Sequence, residues 1–564
     1  MRRYLFVTVA LILTTLIIAL RLYHLGSIPQ GLTKDEAYYG YDAYSVMKTG
    51  RDIWGAHYPL RFKSTGEYKL GLTYLVIPAI KLFDLTERAV RAPSALFGLL
   101  TLPVLFMTLR LFSLSSWLSL AMTAIFAFSP WSFGMSRLFY ESNVGLFFIA
   151  LGFYGLARLL SSSSRLWSVL SPVSLAISAY FYGPYLYIGG LLLALSLFLR
   201  RRLGRSWLLY LLVLTPLLFQ LSGGAGLKRL SQEWALKMPG YAMQTDNARM
   251  NCYLSFGRSP VLAKLCYPFW NKPVNQLYDI TLTALRTLSP EFLFFKGVNT
   301  YITPEDVGAY PTPLIFLYFF GFIAISRRLN ARRTTRTPVI FLLLSLLSSI
   351  LVVSLPGRLE LYRDPVGLYL IFIFFSLGAA WFVKAVGVFS RPVGLLILAF
   401  YALFILFDQS RYLLTYFTSY TRANSLVFSS DSRQVYDYLA LHRDYTYLVD
   451  RKFHGPIYGA FYWKIDPDYF RDHVDWTDPD PWGWINAKSL GNVYSTEFTL
   501  EQLLCQKAKD PSTPLKALVV SDPEPIYSQF PSLSTYDANH SLRLHDVYDI
   551  DYLYDHLDQT RVCH

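Results

Sequence analysis

Asp35 and Glu36 are adjacent carboxylates about fifteen residues after the first long apolar run, within the segment from Gly31 to Asp42. Two carboxylates in a half-buried site compete for protons, so one of them can act as a general base near neutral pH. The competing interpretation is a helix start, in which Thr33 or Asp35 caps a helix that carries several tyrosines. Taken alone, the pattern favours the helix start, so other features must support a catalytic role.

Four basic residues fall at the predicted outer ends of apolar runs, namely Lys69, Arg137, Arg358 and Arg363. Arginine can hold phosphate oxygens through two hydrogen bonds, and lysine acts on them as a point charge. Each side chain could instead extend towards lipid headgroups or pair with a neighbouring acid. Glu360 and Asp364 are suitably placed acids for the last two, so both interpretations stay open there.

The elements that must position these residues are membrane spans. Of the 564 residues, 53% are apolar and only 16% are charged, against about 25% charged residues in soluble proteins. This composition excludes a cytosolic enzyme, a collagen and a disordered protein. Eleven apolar runs predict about eleven transmembrane helices. They are Tyr4–Leu20, Ala92–Leu109, Trp117–Phe133, Val144–Ala157, Leu166–Tyr182, Tyr185–Leu199, Trp207–Leu221, Pro313–Ser326, Pro338–Leu355, Val366–Val383 and Pro392–Phe407.

Charge in the connecting loops predicts the orientation. The N-terminus and alternate short loops carry 16 basic residues and no acid, whereas the other side carries all 38 acids and the remaining 52 − 16 = 36 bases. The net charge of +14 therefore follows from the positive-inside rule, and nucleic acid is not expected as a partner. We predict a bacterial-type inner or plasma membrane protein with a cytoplasmic N-terminus. The short run Leu70–Phe83 is predicted to stay on the outer side without crossing.

This topology predicts two domains. Residues 1–408 form a transmembrane module with a first outer loop at 21–91 and a second large outer loop at 222–311. Residues 409–564 form an extracytoplasmic α/β domain, with a helix at Ser432–Arg443 and strands at Tyr445–Val449, Leu515–Ser521 and Leu542–Val547. The Tyr- and Trp-rich stretch Tyr458–Trp484 could bind sugar by stacking or could be domain core.

All four cysteines fall on the predicted outer side, which favours two disulfides, Cys252–Cys266 and Cys505–Cys563, over free thiols. The sequence has no CxxC or HExxH motif, so a divalent metal is possible but unsupported, and no cofactor is expected. Asp466-Pro-Asp468 and Asp478-Pro-Asp480 are interpreted as turns rather than as metal-binding DxD motifs.

The order of these features resembles the GT-C superfamily of membrane glycosyltransferases, in particular its protein O-mannosyltransferase and lipid A aminoarabinose transferase branch. The resemblance rests on the first-loop acidic pair Asp35-Glu36, on Lys69 before a short apolar helix, on Arg91-Ala-Pro-Ser-Ala-Leu, and on Ser136-Arg137 with Glu141. It covers roughly residues 1–200, with looser similarity to about 410. The sequence departs from the pattern after Lys69, where Leu-Gly-Leu replaces the usual Pro-Pro-Leu.

The resemblance implies an inverting transfer from a polyprenyl-phosphate-linked sugar donor to a hydroxyl on a glycan, glycolipid or protein acceptor. Asp35 would be the general base and Glu36 would position its loop. Lys69, Arg137, Arg358 and Arg363 are candidates for binding the donor phosphate. Candidates for other substrate contacts are Glu141, Tyr38 and Tyr74.

Two alternatives belong to other functional classes. A transporter or flippase of lipid-linked saccharides would have ionisable residues in mid-membrane and paired broken helices, and neither is visible in the sequence. A binding protein that works through its C-terminal domain is the other alternative. Turnover of a labelled polyprenyl-phosphate sugar would separate both from a transferase.

Overall fold

The computed structural model describes most of the chain, with gaps between the described ranges. These ranges are 2–65, 69–199, 204–222, 241–256, 261, 264–297, 301–304, 306–357, 359–450, 455–480, 483–496, 499–511, 514–537 and 540–557. Two compact units emerge from the contacts within the chain. One contains residues 1–23 and 94–414, and the other contains residues 24–93 and 415–564. The second unit thus groups the first outer loop with the C-terminal domain, whereas the sequence divides the chain at residue 408.

The first unit is helical, because its apolar runs are too long and too uniform for strands. Its helices are α1 (Arg2–Leu22), α4 (Glu87–Leu111, which starts in the other unit), α5 (Ser116–Phe128), α6 (Pro130–Arg137), α7 (Glu141–Ser161), α8 (Arg165–Ser178), α9 (Pro184–Leu199), α10 (Leu208–Ser222), α11 (Tyr241–Ser255), α12 (Cys266–Phe269), α13 (Lys272–Thr287), α14 (Leu314–Leu329), α15 (Arg333–Ser354), α16 (Pro365–Val386) and α17 (Arg391–Phe417). A π-helical turn covers Glu291–Phe295.

Each of the eleven apolar runs forms a helix, but the helices differ in length. Six are long and apolar enough to cross a membrane, and a seventh span results if α5 and α6, bent by 57°, are counted as one. The protein is therefore a polytopic helical membrane protein. The full count of eleven spans stays a prediction, because several of the remaining helices are short.

Helix α16 lies at the centre of this unit. Its only charged residue is Lys384 in the last turn, and 78% of its most apolar window is buried within the protein, against 17% for α17 and 11% for α1. An all-apolar helix must be covered by protein or by lipid, so α16 is a core helix and the other two are peripheral. The α14–α16 contact requires glycine, since a Cβ at Gly378 would lie 2.1 Å from the carbonyl oxygen of Leu317.

The second large loop that was predicted to be outer contains a disulfide. Cys252 in α11 is bonded to Cys266 at the start of α12, with 5.9 Å between their Cα atoms, so this predicted pair is confirmed. Cys505 is also disulfide-bonded. Its predicted partner, Cys563, lies outside the described residues.

The second unit begins with α2 (Lys34–Thr49), α3 (Leu72–Phe83) and a small hairpin of β1 (Arg61–Phe62) and β2 (Lys69–Leu70). Helix α3 is the short run that was predicted not to cross, and its 12 residues are too few for a span. The loop packs on the C-terminal domain of the same unit. Tyr41 donates a hydrogen bond to the carbonyl of Ile465, and the rings of Trp54 and Trp476 stack with centroids 3.9 Å apart.

The C-terminal domain is α/β, as predicted. Its seven-stranded sheet has the order β4-β5-β6-β3-β7-β9-β8, in which β3 is parallel to both neighbours and the other pairs are antiparallel. The strands are β3 (Thr446–Asp450), β4 (Val474–Trp476), β5 (Ala487–Leu490), β6 (Val493–Thr496), β7 (Ala517–Ser521), β8 (Leu533–Tyr536) and β9 (Arg543–Asp549). The helices are α18 (Ser419–Ala423), α19 (Ser432–Leu439), α20 (Pro456–Tyr462), α21 (Pro467–His473), α22 (Leu500–Lys509) and α23 (Ile550–His556), with a 3-10 turn at Pro525–Tyr527.

Candidate active site

The acidic pair lies in the first turn of α2. Thr33 caps this helix through a capping box: its hydroxyl accepts from the backbone N–H of Glu36, and the Glu36 carboxylate accepts from the Thr33 N–H. The helix ends at Gly50, which has a φ of 69° and makes a left-handed cap. The helix start expected from the pattern is therefore present. Both cap interactions involve Glu36, so they leave the role of Asp35 open.

Glu36 is held in a buried ion pair. Its carboxylate accepts two hydrogen bonds from Arg91, at 2.9 Å from Nε and 3.0 Å from Nη2. Glu36 is 2% exposed and Arg91 is fully buried. Arg91 also donates to the backbone carbonyls of Pro29, at 2.7 Å, and Gly31, at 2.6 Å. One arginine thus fixes both the acid and the loop that leads into α2.

Asp35 points elsewhere, because neighbouring residues on a helix differ in direction by about 100°. Its side chain is exposed, in contrast to that of Glu36. Tyr38, one turn further along α2, is 1% exposed, and its hydroxyl accepts a hydrogen bond of 2.8 Å from the backbone N–H of Ala487 in β5. Asp35 is thus the member of the acidic pair that is accessible from outside the protein.

Two further predicted residues lie at the hairpin and at α3. Lys69 is in β2, where its backbone pairs with Phe62 of β1, while its side chain is outside the described part of the chain. Tyr74 is half-buried in α3, and its hydroxyl donates to the carbonyl of Pro59 at 2.9 Å.

In the other unit, Arg137 ends α6 and is fully buried. Its Nη1 donates to the last carbonyls of α1, at 3.0 Å to Leu20 and 2.9 Å to Arg21. Cationic side chains at a helix C-terminus satisfy such carbonyls and complement the helix dipole. The end of the first span therefore fixes the position of the Arg137 guanidinium.

Arg21 is a buried cation that the sequence did not single out. Its Nη2 donates to the carbonyl of Ala127 and to the hydroxyl of Ser132, both at 2.8 Å. Its Nε and Nη1 atoms are buried without a hydrogen-bond partner, and no acid pairs with Arg21 in the described part of the chain. Helix α4 approaches it through Gly98, where a Cβ would lie 2.9 Å from Nη1. In the sequence, the position of Arg21 at the end of an apolar run suggests a side chain that extends to lipid headgroups. Its burial becomes evident only from the packing of the helices.

The remaining predicted residues lie around helix starts in the same unit. Glu141 is the half-buried first residue of α7, where the helix dipole favours a carboxylate. Arg363 pairs with Glu360 rather than with its neighbour Asp364, the acid considered from the sequence. Arg358, for which Glu360 was considered, lies outside the described residues. Asp364 does not pair with Arg363 but caps α16, accepting 2.7 Å from the N–H of Gly367. Among the described residues, no three His, Cys, Asp or Glu side chains are grouped as metal ligands would be.

A buried carboxyl lies two turns beyond Asp35 on the same helix. Asp42 has no exposed surface and accepts hydrogen bonds from the Ser64 hydroxyl and, at 3.0 Å, from the N–H of Ile53. Burial raises the pKa of Asp42 to about 7, against the opposing effect of these two hydrogen bonds and with a further contribution from Asp52. It ties α2 to the β1 region and was not predicted.

Comparison with known families agrees with this architecture. The family model described as dolichyl-phosphate-mannose-protein mannosyltransferase matches residues 11–223. The protein is a membrane glycosyltransferase, and over these residues it is similar to that family. The match confirms the resemblance to the branch of GT-C enzymes that uses lipid-phosphate sugars, and it includes Asp35, Lys69, Arg137 and Glu141. A search of curated proteins finds no match to the chain.

Solved structures similar to this glycosyltransferase include an oligosaccharyltransferase from Archaeoglobus fulgidus in the apo form, with 13% identity, a TM-score of 0.51, and coverage of 93% of this chain and 70% of that chain. ArnT from Cupriavidus metallidurans in the apo state has 13% identity, a TM-score of 0.47 and coverage of 98% of both chains. ArnT bound to undecaprenyl phosphate has 12% identity, a TM-score of 0.48, and coverage of 96% and 97%. At the identity of the archaeal structure, the similarity extends to the fold alone.

Proposed function

We propose that this glycosyltransferase moves a sugar from a polyprenyl-phosphate donor to an acceptor hydroxyl on the extracytoplasmic face, with inversion and with Asp35 as general base. The assignment of Asp35 as general base rests on the different surroundings of the two acidic residues. Glu36 is committed to Arg91 in a buried ion pair, whereas Asp35 is exposed. The family match supports a polyprenyl phosphate as the carrier, since dolichyl phosphate belongs to that lipid class.

The reaction requires one proton transfer and one charged leaving group. The acceptor oxygen attacks the anomeric carbon while the bond from that carbon to the phosphate oxygen breaks. Asp35 takes the hydroxyl proton, and the phosphate leaves with an additional negative charge. Positive groups next to that phosphate lower the barrier, because the charge they stabilise develops in the transition state.

Arg137 is the proposed main contact for the donor phosphate, and Arg21 is proposed beside it. Two buried guanidinium groups near each other repel, and Arg21 retains two N–H groups without a protein partner among the described residues. An anion at this position would offset the repulsion between the two guanidinium groups and accept hydrogen bonds from the N–H groups of Arg21. Lys69, Arg358 and Arg363 stay as further candidates, and Glu141, Tyr38 and Tyr74 as candidates for sugar or acceptor contacts.

The test is turnover by the purified full-length protein. A radiolabelled polyprenyl-phosphate sugar is incubated with acceptor fractions that contain glycan, glycolipid or protein, and labelled product and free polyprenyl phosphate are measured together. We expect both to appear in equal amounts. Transport of intact donor across vesicles without release of polyprenyl phosphate would instead support the flippase alternative.

We also propose that the C-terminal domain and the disulfide-bonded loop face the oxidising side of the membrane. The Cys252–Cys266 disulfide supports this, because such bonds persist in oxidising compartments. Leu441 is 79% exposed in the C-terminal domain, and Ser163 is exposed in a predicted cytoplasmic loop. In intact cells, a membrane-impermeant maleimide should label Leu441→Cys and not Ser163→Cys. The reverse labelling would refute the orientation.

A further inference from the structure

The C-terminal domain contains an open cavity of about 660 Å³ at the end of the sheet where β3 and β6 begin. Small-molecule sites in proteins are typically about 300–1,000 Å³ in volume. Ligands of α/β sheets usually bind at the opposite end, where parallel strands finish. A function for this cavity must therefore be argued from its side chains. The residues that matter are Arg443, Tyr447, Trp463, Tyr469, Gly491 and Asn492.

Three aromatic side chains contribute to the wall, and the polar atoms of two of them are bonded within the domain. The indole N–H of Trp463 donates to the Tyr436 carbonyl at 2.9 Å. The hydroxyl of Tyr447 is bonded to the carbonyls of Leu439 and His442, both at 2.7 Å. These bonds fix the two rings. Tyr447 is only 1% exposed, so Trp463, which is half-buried, is the one of the two that offers ring surface to the cavity.

Tyr469 is the accessible member of the three. It is 45% exposed, and its ring stacks on His473 with centroids 3.9 Å apart. Its hydroxyl has no hydrogen bond within the described part of the chain. Gly491 has a φ of 58°, and a Cβ there would lie 3.1 Å from that hydroxyl, so the glycine keeps the space beside Tyr469 open.

The polar contribution comes from one cation and one amide. Arg443 is exposed, and its Nε is 3.4 Å from the carbonyl of Ala440, while its two Nη groups have no partner among the described residues. The Asn492 amide donates to the Tyr445 carbonyl at 2.7 Å, which orients it. The lining contains no carboxylate, so the cavity is neutral to positive.

We propose that this cavity is a saccharide-binding site, with a preference for an oligosaccharide that carries an acidic group. Pyranose rings have an apolar C–H face that packs on aromatic rings, and hydroxyls that need donors and acceptors at the rim. Trp463 and Tyr469 supply the rings, and Arg443 supplies a charge that suits a carboxylate or phosphate. The site is separate from the acidic pair, and the inference does not depend on the proposed transfer reaction.

Binding is measured with full-length protein in detergent by saturation-transfer difference NMR, without any sugar donor present. The probes are trigalacturonic acid, maltotriose as a neutral trisaccharide, and a triglutamate peptide as an acidic compound that is not a sugar. We expect saturation transfer to ring C–H protons of both saccharides, with tighter binding of the acidic one, and none to the peptide. Because the assay contains no donor, its failure would leave the transfer reaction untouched, and a failed transfer assay would leave this site untouched.

Tyr469→Ala tests the site with a close control elsewhere in the domain. Tyr552 is 49% exposed, and its ring lies against that of His556, four residues on, with centroids 4.1 Å apart and a tilt of 32°. Tyr469 and His473 have the same spacing in the chain, with a tilt of 12°. Tyr469→Ala should weaken saccharide binding by roughly two- to tenfold, the effect of one lost stacking contact. Tyr552→Ala should leave it unchanged.

Arg443→Ala should remove the preference for trigalacturonic acid over maltotriose while both still bind. The proposal is overturned if neither saccharide binds, if Tyr469→Ala and Tyr552→Ala behave alike, or if the triglutamate peptide competes with the acidic saccharide. Trp463 is left unchanged in these experiments, because its indole is part of the domain's internal hydrogen bonding.

Discussion

Arg91 and Arg21 are both fully buried arginines near the predicted outer surface, and they differ in what satisfies them. Arg91 makes a bidentate ion pair with Glu36 and donates to two loop carbonyls at 2.7 Å or less. Arg21 has a carbonyl and a hydroxyl as partners, and two of its N–H groups have none among the described residues. A buried charge without a compensating charge is costly.

The presence or absence of a charged partner distinguishes a structural arginine from a ligand-binding one more clearly than burial does. Removing one partner of a paired buried charge mainly destabilises the protein, because the other charge is left without compensation. A buried cation with spare donors is instead prepared for an anionic ligand, and binding then recovers part of the cost of burial. The comparison predicts that variants around Arg91 fail in folding and that variants around Arg21 fail in donor binding.

The largest effect should come from the acidic pair itself. Asp35→Asn keeps the shape of the side chain and removes its basicity, so we expect turnover to fall by about 10²–10⁴-fold. Donor binding should persist, measured by equilibrium binding of the labelled donor. Glu36→Gln should instead lower the folded yield with a smaller effect on turnover per folded molecule. Normal turnover by Asp35→Asn would show that Glu141 or another acid is the base.

The next effect is on stability. Arg91→Ala removes the arginine that forms the bidentate ion pair with the buried carboxylate of Glu36, which should cost about 3–5 kcal/mol. We expect a strong loss of monodisperse protein in size-exclusion chromatography. The control is Arg88→Ala, since Arg88 is exposed and close in sequence. If the folded fraction of Arg91→Ala binds donor poorly while its yield is normal, Arg91 belongs to the donor site instead.

A third effect, about 10- to 150-fold, should appear in donor kinetics, because a hydrogen bond to a charged group contributes about 1.5–3 kcal/mol. Arg21→Ala and Arg137→Ala should raise the donor's apparent Kd and lower kcat, since the phosphate contact strengthens in the transition state. Arg21→Lys should recover part of the loss by restoring the charge. Normal donor kinetics in both alanine variants would show that the donor phosphate is bound elsewhere, with Lys69, Arg358 and Arg363 as the next candidates.

Much of the fold was predictable because its signals are local. All eleven apolar runs form helices, and the predicted helix and three strands of the C-terminal domain are present, with ends that differ by a few residues. The sequence missed β4, β5, β6 and β8, which have only three or four residues each. Strands this short show too little alternation to be recognised. β6 and β8 pair with the predicted strands β3 and β9, whereas β4 and β5 pair only with other strands that were missed.

Site residues that belong to a sequence motif could be predicted. Residues whose role depends on packing could not. The acidic pair and Arg137 stand out by order and spacing in the sequence. Arg21 and Asp42 do not, because their burial depends on contacts with residues far away in the chain, such as Ala127, or across a loop, such as Ser64. The assignment of Glu36 to a structural role likewise required the distant Arg91.

The smallest expected effect is a pH dependence of stability from Asp42. The folded-state pKa of about 7 lies above the ordinary value of 3.8, so the folded protein binds more protons than the unfolded chain between these values. Its contribution to stability is therefore complete below about pH 4 and is lost as the pH rises through 7. Asp42→Asn cannot titrate, and its apparent Tm should fall less between pH 4.5 and 7.5 than that of the wild type.

The matched control is Asp555→Asn, which replaces an exposed carboxylate in α23 and should keep the wild-type slope. Apparent Tm values are compared at one scan rate, because unfolding of a membrane protein is often irreversible. The difference should be a few degrees, since 1 kcal/mol shifts Tm by about 2–4 °C in a unit of this size. Equal slopes in all three proteins would mean that Asp42 stays ionised. Its carboxylate would then be a second fully compensated buried charge like that of Glu36, held by Ser64 and Ile53 rather than by an arginine.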